Sequence, residues 1–273
     1  MTATQSVTGA RVRPHVARRA TANVLYAVGL PILILVAWSV AASVSPSRYF
    51  PSPARIADAF VKTWVGEAFF VDVVPSLGRL AIGLALSIVL GIVIGTVIGL
   101  DRTLRDLLEP LLEFFRAVPP PVLIPIFTIM LGVSDQMRIV VIVSGAIWPV
   151  LLNTIDGVRS VDSTMTETAR AFELTPIERT VYLVLPSAGP RIMAGVRQSL
   201  AVGLILMVIS EMFVASSGLG YRLVYFQRNF LIAEMWSGIV LLGLIGVALA
   251  LLFGVVERCV LRWYRGQKEA ERG

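Results

Sequence analysis

Long apolar runs separated by short polar breaks organise this chain. Val24 to Val44, Leu80 to Leu100 and Met235 to Val256 contain no charged side chain, and each is near the ~20 apolar residues that a helix needs to cross a hydrocarbon core. Three further runs, Phe114 to Val133, Ile139 to Ile155 and Ile192 to Val214, have similar lengths but are interrupted by proline, arginine or glutamate. The pattern predicts an all-α membrane protein with about six transmembrane helices in residues 21–258, flanked by basic tails at 1–20 and 259–273.

Composition agrees. With 56% hydrophobic and 15% charged residues and a mean hydropathy of +0.79, the chain is too apolar for a soluble domain of this size. The formal charge of +6 is explained by topology, because Lys and Arg gather at the cytoplasmic ends of spans. With the N-terminus inside, that side receives Arg11, Arg13, Arg18, Arg19, Arg102, Arg105, Arg116, Arg159, Arg170, Arg179, Arg191, Arg197, Arg258 and the basic residues beyond it. The opposite side receives Arg48, Arg55, Lys62, Arg79, Arg138, Arg222 and Arg228. Both termini are therefore expected in the cytoplasm, and no basic patch on a soluble domain suggests nucleic acid. Arg18-Arg19 before an apolar run also fits a secretory signal, with Ser39-Val-Ala41 as a cleavage site. The near-spanning length of the run favours an uncleaved anchor. The lone Cys259 permits no disulfide within the chain and no cysteine metal cluster, and His15 lies in the basic tail.

The breaks between the runs are informative. After the first run, Ser52 can cap and Pro53 can open a short helix on which Ile56, Ala59, Phe60, Thr63 and Trp64 share a face. That face suits either the membrane interface or packing on the spans. Gly91-x-x-x-Gly95-x-x-x-Gly99, preceded by Ala81-x-x-x-Ala85, forms a smooth stripe for close approach of another helix of this chain or of a second copy. Arg116-Ala-Val-Pro119-Pro120-Pro121 cannot lie inside a regular helix. Either a helix is broken there at membrane depth, as a translocation path tolerates, or a helix begins there. Glu211 sits in an otherwise apolar run, so it faces protein, water or a partner, or else lies at the outer headgroups as a satisfied helix-end residue.

The most polar island lies between the fourth and fifth runs, at about residues 158–190. Thr164 with Glu167, and Thr175 with Glu178 behind Pro176, are spaced as tandem capping boxes. They predict two short helices with a bend near Glu173 and Leu174. Glu167 and Arg170 form a same-face charged pair beside the small Ala169 and Ala171. A short exposed helix of this kind suits insertion into a groove on a partner.

These residues resemble the cytoplasmic loop of the permeases of binding-protein-dependent ABC importers. The family pattern is a glutamate, two small residues, a glycine six positions after the glutamate, and a hydrophobic-x-Leu-Pro ending. It appears here as Glu167-Thr168-Ala169, Glu173 and Leu183-Val-Leu185-Pro186. The likeness extends through Phe50-Pro-Ser-Pro, Ser76-Leu-Gly-Arg79, Arg116-Ala-Val-Pro119, Pro149 to Thr154, and Ser210-Glu211 with Gly218-Leu-Gly220. The branch that imports taurine, aliphatic sulfonates or nitrate is the most similar. Two departures stand out: Thr168 replaces a small alanine, and Glu173 replaces the glycine of a left-handed bend.

The resemblance implies a type I importer permease in the cytoplasmic membrane, pairing with a second copy, two cytoplasmic ATPase subunits and an external binding protein. The coupling residues would be Thr164, Glu167, Thr168, Ala169, Arg170, Ala171, Glu173, Leu174, Leu185 and Pro186. Arg116, Pro119 and Glu211 become translocation-path candidates, with no catalytic residue and no metal ligand. The chain has no Gly-x-x-x-x-Gly-Lys-Ser/Thr loop, so it would bind no cofactor itself, and ATP and Mg would sit on the partner ATPase. A membrane enzyme would need a catalytic constellation in the spans, which is missing from the sequence. An ion-coupled carrier or channel without an ATPase is the remaining alternative.

Overall fold

The computed structural model describes residues 15–45, 47–213, 215–264 and 266, with side chains from residue 29 onward. Much of both expected tails, including residues 1–14 and 267–273, lies outside the described residues. Every regular element described is helical, and the chain divides into two units at Asp58. The first unit contains α1 (His15–Val44) and the opening of α2 (Pro53–Trp64). α1 remains helical through Ser39 and Ala41. Ser52 supplies the expected cap, its hydroxyl accepting from the Arg55 N–H at 3.4 Å.

The second unit runs through α3 (Phe69–Leu100), α4 (Arg102–Ala117), α5 (Pro120–Leu131), α6 (Asp135–Arg159), α7 (Ser163–Ala171), α8 (Pro176–Phe213), α9 (Leu219–Arg228) and α10 (Ile232–Val260). Among the described residues α3, α6, α8 and α10 are long and apolar enough to span a membrane. The run from Phe114 to Val133 does not form one straight helix. Instead α4 and α5 meet at a bend of 81°. A Cβ added at Gly145, about halfway along α6, would meet Pro120 at the start of α5.

α3, α6 and α8 form the core. A Cβ added at Gly83 would meet Ile142, at Gly91 Val150, at Gly95 Thr154 and at Gly99 Val158. These contacts rise together along both helices, so α3 and α6 run parallel, and the glycine stripe serves packing within the chain. The stripe continues upward through the buried Gly83 and Ser87, whereas Ala81 and Ala85 are exposed on another face. The small residues at four-residue spacing thus include Gly83 and Ser87, while the alanine pair is off-register. α8 runs antiparallel to both, with Gly203 against Leu80 and Leu84, and Gly157 of α6 against Ala188. The apolar face of α2 from Ala59 onward is buried: Trp64 donates to Ser237 Oγ at 3.0 Å and sits edge-on to Phe226.

Two of the prolines within these helices sit just after a widened turn. Before Pro75 the Val74 N–H bonds to the Phe69 carbonyl, and before Pro186 the Leu185 N–H bonds to the Thr180 carbonyl, each five residues back. Such a widened turn shifts the hydrogen-bond ladder where proline offers no donor and crowds the preceding turn.

Candidate functional site: an exposed capped segment and a buried ionic clasp

The exposed segment begins at α7. Its N-cap is Asp162, whose carboxylate accepts from the Thr164 N–H at 2.7 Å, so the expected Thr164–Glu167 box does not form. Asp is at least as good an N-cap as Thr, and here it starts the helix earlier. The second box does form: Thr175 Oγ1 accepts from the Glu178 N–H, and the Glu178 carboxylate accepts from the Thr175 N–H at 2.9 Å. The helix it opens is not short, however. It continues through the widened turn into α8.

Between the two caps the chain turns through Glu173, whose φ is +57°. The Glu173 N–H bonds to the Arg170 carbonyl at 2.9 Å, and the Leu174 N–H reaches back to Ala169 at 3.1 Å. This pair of bonds is a Schellman ending with a glutamate in the left-handed position usually held by glycine. A non-glycine residue there costs about 1 kcal/mol, so the bend carries added strain. Glu167, Thr168, Arg170 and Ala171 are exposed, and no salt bridge joins Glu167 to Arg170 among the described residues. Ala169 is buried. Around it Met165, Phe172, Leu174 and Tyr182 line a cavity of about 370 Å³. Phe172 is 77% exposed and Ile177 equally so, an apolar surface that water does not favour.

At the other end of α8 lies a cluster that the sequence only hinted at. Glu211 is 1% exposed. Its carboxylate accepts from Arg79 at 2.7 Å, from the Ser76 hydroxyl at 2.7 Å and from the Gly220 N–H at 3.0 Å. Arg79 also donates to Asp135 at 2.8 Å, which in turn accepts from Arg138 at 2.6 Å. Asp72, equally buried, accepts from the Gly218 N–H at 2.9 Å and from Arg222 at 2.7 Å. Ser76 Oγ accepts from the Leu219 N–H at 3.0 Å. The first amides of α9 are thus held by Asp72, Ser76 and Glu211 in succession, and the carboxylates face the positive end of that helix.

The cluster sets the buried Asp72 and Glu211 and the exposed Asp135 against Arg79, Arg138 and Arg222, so each buried carboxylate has a cationic partner. Gly218 takes a φ of +116°, and a Cβ there would lie 2.5 Å from the Glu211 carboxyl carbon. Only glycine allows the loop to close over the carboxylate.

Of the path candidates, Arg116 is paired with Glu113 at 2.5 Å and Pro119 lies at the bend between α4 and α5. Glu211 is separate from both, inside the clasp. The sequence reading passed over Asp72, Asp135, Arg138 and Arg222 as partners. An aspartate within Phe69 to Val74 and arginines just outside apolar runs were the available signals. Among the described residues no group of His, Cys, Asp or Glu side chains is placed to hold a metal ion.

A core of parallel and antiparallel spans with a polar, capped segment projecting between α6 and α8 is the architecture of a multi-span membrane protein. The chain belongs to the binding-protein-dependent transport system inner membrane component family, whose model matches residues 87–266. It is a multi-pass transport subunit of the cell membrane. It is 34% identical over 237 residues to a protein of Escherichia coli (strain K12) named as an aliphatic sulfonates transport permease, SsuC, covering 86% of this chain and 90% of that protein. It is 29% identical to the taurine transport system permease TauC of the same organism (86% of this chain, 88% of that protein) and 26% identical to the nitrate import permease NrtB of a Synechocystis strain (86% and 88%). The fold matches an inward-facing structure of the MetNI methionine ABC transporter with a TM-score of 0.60 at 19% identity, covering 69% of this chain and 94% of that one.

Proposed function

We propose that this chain is the permease of an ATP-driven importer for a small sulfonate or similar oxyanion, delivered by an external binding protein. It pairs with a second copy and with two ATPase subunits, which dock on the face carrying α7, and both termini lie on that cytoplasmic side. The observation that carries this reading is the segment from Thr164 to Leu174. A rigidly capped, strained, apolar and exposed turn is joined without interruption to a core span. The sulfonate, taurine and nitrate relatives support an oxyanion cargo.

Purified chain reconstituted with its ATPase and binding protein should take up radiolabelled taurine or an alkylsulfonate only with ATP. Phe172→Glu, at an exposed position, should abolish ATPase co-purification while leaving the permease folded. Uptake that persists without nucleotide, or labelling that places Thr164 to Leu174 on the external face, would overturn the reading.

A further inference from the structure

Arg197 lies within the α8 span, with its neighbour Gly195 packed on Pro149 near the middle of α6. It takes no part in the coupling segment or the clasp. Its guanidinium pairs with Glu257 of α10 and stands 5.8 Å from the centroid of Phe253. The side chain is still 62% exposed. A guanidinium has five N–H donors. Pairing with one carboxylate leaves several of these donors for a further acceptor.

Beside it α8 and α10 part to leave a cavity of about 440 Å³, walled by Leu200, Leu204, Leu249 and Phe253 with Gly246 at its floor. The seven positions from Arg197 to Leu204 give the slot a length of about 10 Å at the helical rise. One end is cationic and the rest is apolar. That combination complements an anion with three acceptor oxygens on a short alkyl chain.

We infer that Arg197 and this slot form a station for an aliphatic sulfonate, with the sulfonate on the free edge of the guanidinium and the chain along Leu200, Leu204 and Leu249. This deepens the proposed function and rests on its choice of cargo. Glu257 shares the guanidinium, which weakens the hold on any anion and suits a site the cargo must leave. The other occupants with matching surfaces are a phospholipid tail and a second copy of this chain.

The test uses the complete permease–ATPase complex in nanodiscs, titrated by ligand-observed NMR with methanesulfonate through hexanesulfonate in the absence of binding protein. Affinity should rise about fourfold per methylene, the equivalent of burying one CH₂. Arg197→Gln combined with Glu257→Gln, which leaves no unpaired carboxylate, should weaken hexanesulfonate at least tenfold. Gly246→Leu, which fills the slot and favours the helix, should leave methanesulfonate binding intact and remove the gain with chain length. Unchanged hexanesulfonate binding in both variants overturns the station. A co-purifying phospholipid that the double variant loses and hexanesulfonate does not displace also overturns it, in favour of lipid. Energised uptake by the wild-type complex is measured alongside: absent sulfonate uptake with binding intact refutes the proposed cargo and leaves the station, whereas uptake with unaltered binding in the variants refutes the station alone.

Discussion

The buried pair of Arg79 and Glu211 gives the sharpest energetic prediction. Glu211 is 1% and Arg79 6% exposed, with their charged atoms 2.7 Å apart. Removing one partner of such a pair typically costs about 3–5 kcal/mol, because the other charge stays buried. Glu211→Gln keeps the volume and one acceptor, so its cost should fall near the lower end, with the Gly220 N–H bond weakened. Arg79→Gln also strips Asp135 of one donor, but that carboxylate is 61% exposed and retains Arg138. Its share should therefore be under about 1 kcal/mol. In the double variant two neutral amides face each other, and most of the penalty of an orphaned charge disappears. The sum of the single effects should therefore exceed the double effect by about 2 kcal/mol or more. SDS-induced unfolding of the purified protein in mixed micelles measures each corner of the cycle. Additivity within about 0.5 kcal/mol, the behaviour of independent sites, would show that the two groups do not act as a pair and would refute the clasp.

Three further perturbations test other parts of the structure. Glu173→Gly relieves a left-handed glutamate, so thermal melting should show a gain of about 1 kcal/mol with uptake preserved or raised; a large loss of uptake would mean that the carboxylate touches a partner. Gly95→Val puts a Cβ 2.7 Å from that of Thr154 and 2.8 Å from the Leu151 carbonyl, so α3 and α6 must separate and folded yield should collapse, a cost of about 3 kcal/mol or more; the same change at Gly254, which has nothing within 4 Å, should be tolerated. Trp64→Phe removes the hydrogen bond to Ser237 and leaves a buried hydroxyl with one partner fewer, lowering stability by about 1 kcal/mol in the same unfolding assay.

What could be read from the sequence followed the physics that is local in sequence. The spans α3, α6, α8 and α10, the Thr175–Glu178 box and a bend near Glu173 depend on neighbours a few residues apart and were legible, whereas the left-handed form of the bend was implied by the family resemblance. The Thr164 box failed because Asp162, two residues upstream, competes for the same amides. The clasp was only hinted at for a different reason. Asp72 in α3 lies more than a hundred positions from Glu211 in α8 and Arg222 in α9, and no spacing rule links residues that far apart. An intramembrane charge announces that a partner exists without naming it. The alanine pair at Ala81 and Ala85 was misassigned because a four-residue stripe can be drawn through either of two faces, and only packing against Ile142 and Val150 chooses Gly83 and Gly91.

α8 links the two ends of the molecule. At 38 residues it is about 57 Å long at 1.5 Å per residue, well beyond the ~30 Å of a hydrocarbon core, so its first turns project with α7 on the exposed side. Its N-terminus is fixed by the Thr175 box and its far end by Glu211 in the clasp. On the proposed function, a displacement delivered at Thr175 meets two irregular places in α8, the widened turn from Thr180 to Val184 and Pro190. Beyond Pro190 the helix is pinned on both sides by glycines seated against α6 and α3. A rotation that passes both places must therefore arrive at Glu211, and Glu211 holds the first amides of α9. On that function the short helix between the last two spans would move with the proposed coupling segment, because the same buried carboxylate that stabilises the fold also joins α9 to the helix an ATPase would push.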